Sequence, residues 1–149
     1  MAKLTDNKKA FHSFTIEDTL EAGVSLFGHE VKSVRDGQVS LAGAYVTIRN
    51  GEAFLRNAHI GKYKHASDLA GYDETRERRL LLKKSEIDRL IGKAKEKGLT
   101  LVPLELYTKR GWIKLKVGIG RGKKQADKRE AIKTKETKRR IDRLMRKKV

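Results

Sequence analysis

The stretch Gly43-Ala44-Tyr45-Val46-Thr47-Ile48-Arg49-Asn50-Gly51-Glu52-Ala53-Phe54-Leu55-Arg56-Asn57 decides how the rest of this chain is read. Asn-Gly at its centre suits a two-residue hairpin turn, because both central residues must accept positive φ. Before the turn, Val46 and Ile48 alternate with Tyr45, Thr47 and Arg49, a period of two that marks a half-buried strand. After it, Ala53, Phe54 and Leu55 form the returning strand, which is expected to continue toward Ile60.

A second hairpin is expected nearer the C-terminus. Leu99 to Tyr107 is apolar and extended, and its Pro103 points to an edge or a bulge. Thr108-Lys109-Arg110-Gly111 supplies the turn. Ile113, Leu115, Val117 and Ile119 then alternate with Lys114 and Lys116, giving one buried face and one cationic face. Between the hairpins a helix is predicted from Glu86 to Lys97. Ser85 caps it, Asp88 completes a capping box, Ile87, Leu90, Ile91 and Ala94 share a face, and Gly98 stops it. Phe14 to Leu26 reads as two short strands around Ala22-Gly23, and Glu30 to Arg35 as one or two helical turns. Short strands, evenly spaced turns and one internal helix predict a mainly β fold with flanking helices, a small closed β-barrel.

The charge distribution then divides the chain. Of a formal net charge of +17, residues 121–149 carry +10, from 14 Lys or Arg against four acids, and the first 120 residues carry the remaining +7. The expected organisation is a barrel over residues 1–120 and a basic tail over 121–149. Gly118, Gly120 and Gly122 are read as a hinge between the two, since their spacing fits neither phosphate-loop pattern. The tail has good helix formers from Asp127 to Arg146 and a small apolar patch of Ile141, Leu144 and Met145. So polar a segment is marginal as a free helix in water and is expected to order only when a partner neutralises it. Such a charge density is attracted to polyphosphate, and the natural partner is nucleic acid. On the body, Arg76, Arg78, Arg79, Lys83 and Lys84 form one cationic cluster, and Lys32 and Arg35 another. Stacking aromatics are few, which favours structured RNA read by shape and backbone over stacked single strands.

Other function classes are poorly served. There is no Cys, which removes disulfides and thiolate metal sites. No apolar run approaches the ~20 residues of a membrane helix, and the first residues lack a signal-peptide stretch; the expected compartment is the cytoplasm. His12, His29, His59 and His65 are not spaced as metal ligands, His29-Glu30 reads as a surface pair, and no serine sits in a nucleophile motif. No enzyme activity, metal or cofactor is expected.

Several segments together carry a resemblance. Glu21-Ala22-Gly23, Gly28-His29-Glu30-Val31-Lys32-Ser33-Val34-Arg35, Asn50-Gly51-Glu52-Ala53-Phe54-Leu55, Arg79-Leu80-Leu81-Leu82 and Gly122-Lys123-Lys124-Gln125-Ala126-Asp127-Lys128-Arg129 occur in one order. From about Asn7 to the C-terminus the chain resembles the SmpB family, the protein partners of transfer-messenger RNA (tmRNA) in bacteria. The resemblance implies an oligonucleotide-binding-type (OB-like) barrel that binds the tRNA-like domain of tmRNA and helps deliver it to stalled ribosomes in trans-translation. It implies a tail that is disordered when free, enters the empty mRNA channel beyond the ribosome decoding region, and becomes helical there to license tagging and rescue. An aminoacyl-tRNA-carrying elongation factor is implied as an indirect partner through tmRNA, and the protein as a monomer that does no covalent chemistry. Carried onto this chain, the RNA-contacting acid falls on Glu21 and the RNA-face leucine on Leu81. Lys83 stands where Asn is common and offers a phosphate contact instead. Lys32 and Arg35 join this tmRNA set. The ribosomal set comprises Gly122, Lys123, Lys124, Asp127, Lys128 and Arg129, with the distal pair Leu144 and Met145. The alternative reading is a basic ribosomal protein bound constitutively to rRNA.

Overall fold

The two hairpins form as their turn residues dictate. In the computed structural model, which describes residues 2–66 and 69–123, Asn50 and Gly51 adopt φ of 52° and 74°. They join β4 (Tyr45–Arg49) to β5 (Glu52–Arg56) in the register Arg49↔Glu52 to Tyr45↔Arg56. The strand does not run on toward Ile60. Asn57 takes a positive φ of 61° and breaks it, and His59–Ile60 form a separate short strand, β6, paired with β3 (Val39–Ser40). The second hairpin pairs β8 (Leu99–Lys109) with β9 (Trp112–Gly122) through Arg110 and Gly111, at φ of 53° and 82°. Its turn is therefore two residues long, and Thr108 and Lys109 belong to the strand.

Pro103 marks a bulge, with the β8–β9 register shifting between Pro103 and Glu105. A proline has no N–H for the ladder, so its position is served differently. Asn7, just before α1 (Lys8–Ser13), donates Nδ2 to the Pro103 carbonyl at 3.0 Å and its own N–H to the Leu104 carbonyl at 2.8 Å. Its Oδ1 accepts from the Ala10 N–H and caps the helix. One buried side chain thus fastens α1 and β1 (Ala2–Asp6) to the bulged strand.

Phe14 to Val24 is one eleven-residue strand, β2, rather than two. Gly23 is no turn: it pairs with Leu81 in β7 (Arg78–Leu81) and with Lys114 in β9. The helix after β7, α3, spans Lys84–Lys95 and begins two residues earlier than predicted. Glu86, not Asp88, closes its first turn, accepting the Lys83 N–H at 2.9 Å. Gly98, at φ 83°, follows its end. The one or two helical turns expected from Glu30 to Arg35 are α2, which begins two residues earlier and spans Gly28–Arg35.

The main sheet has the order β1-β8-β9-β2-β7-β5-β4. It coils around one core in which Val46, Leu55, Leu80, Leu101, Leu106, Leu115 and Ile119 meet, with Leu90 of α3 inserted from the side. Each such side chain contributes roughly 1.5–3 kcal/mol by leaving water. The sheet is not closed by hydrogen bonds, which corrects the closed barrel expected from strand spacing. Its end strands β1 and β4 pair only with β8 and β5 respectively. β4 approaches β8 across the core without forming a ladder. β1 already occupies β8 from Glu105 to Thr108, and Pro103 has no N–H to offer.

The glycines of β9 are not a hinge. β9 remains paired with β2 as far as Phe14↔Gly122. A Cβ on Gly118 would lie 2.7 Å from Leu104 Cδ1, and one on Gly120 would lie 3.1 Å from Ile16 Cδ1. These positions are small because neighbouring strands push side chains into them.

Candidate nucleic-acid interface

An open groove of about 790 Å³ runs between β2, β7, the start of α3 and the β4–β5 turn. Glu21, Leu81, Lys83 and Lys114 are among the residues that line it. The sheet pairing explains how they meet. Gly23 opposes Leu81, and a Cβ there would stand 3.2 Å from the Leu81 Cβ, so glycine allows β7 to come close. Alternation along β7 turns Arg78 and Leu80 inward and Arg79 and Leu81 outward, which leaves Leu81 52% exposed on the groove wall. Lys83 stands at the mouth of α3 beside it. Arg79 reaches Glu52 at 3.3 Å on the opposite lip, a solvent-exposed pair worth little stability.

Glu21 is held rather than loose. Tyr107 Oη donates to Glu21 Oε2 at 2.6 Å, and Lys109 Nζ stands 3.4 Å from both carboxylate oxygens. The Tyr107 bond, helped by Lys109 and Lys114, keeps the carboxyl below its ordinary value, while partial burial opposes this less strongly. Burial and the bond to Glu21 push the Tyr107 hydroxyl upward in turn. Glu21 is therefore an oriented, charged acceptor on a cationic surface. Such a group repels phosphate and selects hydrogen-bond donors, such as a ribose 2′-OH or a base amino group.

The structure brings Glu21, Leu81 and Lys83 together but places Lys32 and Arg35 elsewhere, on α2. Lys32 Nζ lies 5.7 Å from the Tyr63 ring centre. Arg35 Nη2 donates to the Gly111 carbonyl at 3.0 Å, tying α2 to the β8–β9 turn. Gly122 ends β9, and Lys123 follows with its N–H on the Ser13 carbonyl and its Nζ 3.3 Å from the Phe11 carbonyl. Lys124, Asp127, Lys128, Arg129, Leu144 and Met145 lie outside the described residues.

The cationic cluster read at Arg76–Lys84 is divided by the fold. Arg78 is fully buried, and so is Glu30, which the sequence placed in a surface pair with His29. Arg78 donates Nη2 to Glu30 Oε2 at 2.7 Å, and to Tyr72 Oη and the Glu74 carbonyl at 3.0 Å each. Its Nη1 donates to the Ala58 carbonyl. Arg76 pairs with Glu30 from the other side and lies under the Phe27 ring, 3.8 Å from its centre. Tyr72 Oη completes the cage on Glu30 Oε2 at 2.8 Å. Burial alone would push the Glu30 carboxyl up. The bonds from Arg76, the Phe27 N–H, Arg78 and Tyr72 more than offset it and hold the group down at about 2. These two arginines thus hold α2 to the start of β7 and the residues just before it, and are not free for phosphate. Among the described residues, no group of three or more His, Asp or Glu is placed to hold a metal ion, and no helix is long and apolar enough to cross a membrane.

A coiled antiparallel sheet with a polar, open, partly cationic groove defines a small β-rich protein with a candidate nucleic-acid surface. Comparison with known proteins makes the assignment specific. The chain belongs to the SmpB protein family, which it matches over residues 4–147. It is 51% identical over 142 residues to the SsrA-binding protein of Microcystis aeruginosa, covering 95% of this chain and 92% of that one. It is 49% identical to the SsrA-binding protein of Clostridium acetobutylicum, over 95% and 91% of the two chains. Among solved structures, a chain described under "tmRNA-SmpB: a journey to the center of the bacterial ribosome" is similar at a TM-score of 0.67 and 43% identity. The match covers 86% of this chain and 93% of that one.

Proposed function

We propose that this protein is the RNA-binding adaptor of trans-translation. It binds the tRNA-like domain of tmRNA and helps deliver it to stalled ribosomes, where its tail enters the empty mRNA channel and licenses tagging. The observation that carries this reading is the groove in which Glu21, Leu81 and Lys83, distant in sequence, stand on one surface. Glu21 supplies a donor-selective contact, Leu81 an apolar contact for a sugar or base face, and Lys83 a phosphate contact. The names of the relatives, SsrA-binding proteins, favour this over a constitutive ribosomal protein.

The body acts as an OB-like domain through this sheet. The tail, read from residue 121, is disordered when free and helical on the ribosome, with Gly122, Lys123, Lys124, Asp127, Lys128 and Arg129 near the decoding region and Leu144 and Met145 further along the channel. Lys32 and Arg35 extend the tmRNA surface. The protein acts in the cytoplasm as a monomer, meets the elongation factor only through tmRNA, and does no covalent chemistry. The test is binding of the tRNA-like domain to the full chain and to residues 1–123 over a salt series, with ordinary tRNA as competitor. Retained affinity and retained preference over tRNA in the short chain support recognition by the body. Equal competition by tRNA, or loss of binding on truncation, rejects it.

A further inference from the structure

The chain has one tryptophan, and it is 72% exposed. Trp112 opens β9 directly after the Arg110-Gly111 turn. An indole left in water is a large apolar surface, and tryptophan, with an apolar body and one N–H donor, is a residue type enriched at interfaces. Its platform is built and stiff. Both turn residues hold the positive φ of a tight hairpin, Trp112 pairs across with Lys109, and Arg35 Nη2 pins the Gly111 carbonyl to α2. The platform also adjoins the groove, because Lys109 Nζ leans on Glu21 and Lys114, two residues along β9, lines the groove wall.

We propose that Trp112 stacks on an unpaired nucleobase of the bound RNA, extending the recognition surface from the Glu21 groove to the tip of the β8–β9 hairpin. The proposal rests on the RNA-binding reading above. The surroundings select this occupant. The hairpin that carries the ring is cationic: Lys109 lies across the ladder from Trp112, Arg110 precedes it in the turn, Lys114 follows two residues along β9, and Arg35 reaches the Gly111 carbonyl, with Glu21 as the acid that engages Lys109. A single aromatic face among cations matches a base attached to phosphates. A protein hot spot would instead sit near the centre of a packed patch whose surrounding contacts exclude water, whereas Trp112 stands at a hairpin tip. Structured RNA offers such a base in its loops, where bases are splayed out of the helix.

Because Trp112 is the only tryptophan, its fluorescence reports this site alone. The experiment follows emission and acrylamide quenching of the full chain while the tRNA-like domain of tmRNA is titrated in, with filter retention as the independent measure of binding. Stacking predicts a quenched indole, shielded from acrylamide at saturation. Trp112→Ala is expected to weaken binding by roughly 5- to 100-fold, the range for one base on an aromatic ring. Trp112→Phe recovers most of that. The salt dependence separates stacking from charge: Trp112→Ala leaves the slope of log K against log salt unchanged, whereas Lys114→Gln lowers it by about 0.7–0.9. Circular dichroism verifies that the variants are folded. An indole still open to acrylamide in the saturated complex, or a Trp112→Ala variant that binds normally or changes the slope, overturns the stacking proposal and leaves the RNA reading standing. Failure of the RNA to bind by filter retention removes both.

Discussion

Replacing Glu30 by Gln tests the centre of the molecule. The substitution keeps the shape of the side chain and removes its charge, leaving Arg76 and Arg78 facing a neutral amide. In the native protein Arg78 donates to Glu30 from Nε at 3.1 Å and from Nη2 at 2.7 Å, and both side chains are fully buried. Lowering a carboxyl from 4.5 to about 2 corresponds to about 3 kcal/mol of stability in the charged form. Breaking a buried ion pair by removing one partner costs about 3–5 kcal/mol. The two routes agree, so Glu30→Gln should lose about 3–5 kcal/mol at neutral pH, a large share of a single domain's stability. The sign of the pH dependence follows from the lowered native value. The contribution is complete above the unfolded value of 4.5 and is lost as pH falls toward about 2. The gap between native and Glu30→Gln should therefore be widest near pH 7 and narrow progressively between about pH 5 and pH 2. Urea titrations followed by far-ultraviolet circular dichroism at pH 7, 5 and 3.5 measure it; Trp112 is too exposed to report unfolding well. A variant within 1 kcal/mol of the native protein at pH 7, or a gap that does not change with pH, would refute the reasoning.

Other substitutions probe separate parts of the argument. Gly118→Ala should cost about 1–3 kcal/mol by overpacking against Leu104, and the double variant with Leu104→Val should cost less than the sum of the two single changes; full additivity in the double-mutant cycle would reject Leu104 as the reason position 118 is small. Glu21→Ala should weaken binding of the tRNA-like domain by roughly 10- to 100-fold, the worth of a hydrogen bond to a charged group, although it makes the surface more positive; unchanged or tighter binding in a filter assay rejects the acceptor role. Leu144→Asp with Met145→Asp should impair peptide tagging in a reconstituted translation assay while leaving binding of the tRNA-like domain intact, and normal tagging would reject the distal-tail role.

The hairpins were legible because backbone chemistry wrote them. Asn50-Gly51 had to accept positive φ, and the apolar residues of β9 kept a strict alternation. What stayed hidden was long-range pairing. Read with period two, Arg78-Arg79-Leu80-Leu81 already puts Arg78 on the buried face with Leu80 and Leu81 on the exposed face with Arg79. Composition suggests the opposite, a cluster of free cations at Arg76, Arg78 and Arg79, because nothing nearby announces the Glu30 that satisfies Arg78 across 48 positions. Tyr107 as the partner of Glu21 is invisible for the same reason, being 86 positions away. The β9 glycines misled through an ambiguity of type: a small residue permits flexibility, and it equally permits a neighbouring strand to drive Leu104 into its place. Only the register decides between them.

That register also separates the two tasks proposed for this chain. β9 starts at Trp112 and Lys114, beside Glu21 and the groove, and ends at Gly122 and Lys123, beside Ser13 and Phe11 of α1. Eleven extended residues span roughly 30–35 Å, so the chain leaves the body at the end of the sheet opposite the groove. Lys123 is anchored there by its own N–H. The point of departure is thus remote from the groove, which fits the proposal that the basic segment meets a second polyanion. The +8 carried by residues 124–149, 12 Lys or Arg against four acids, then need not compete for the groove, whose proposed selectivity rests on one oriented carboxylate and one exposed leucine rather than on the number of lysines. β9, bonded to β2 and β8 along its length, is in this reading the rigid spacer between the two RNA contacts.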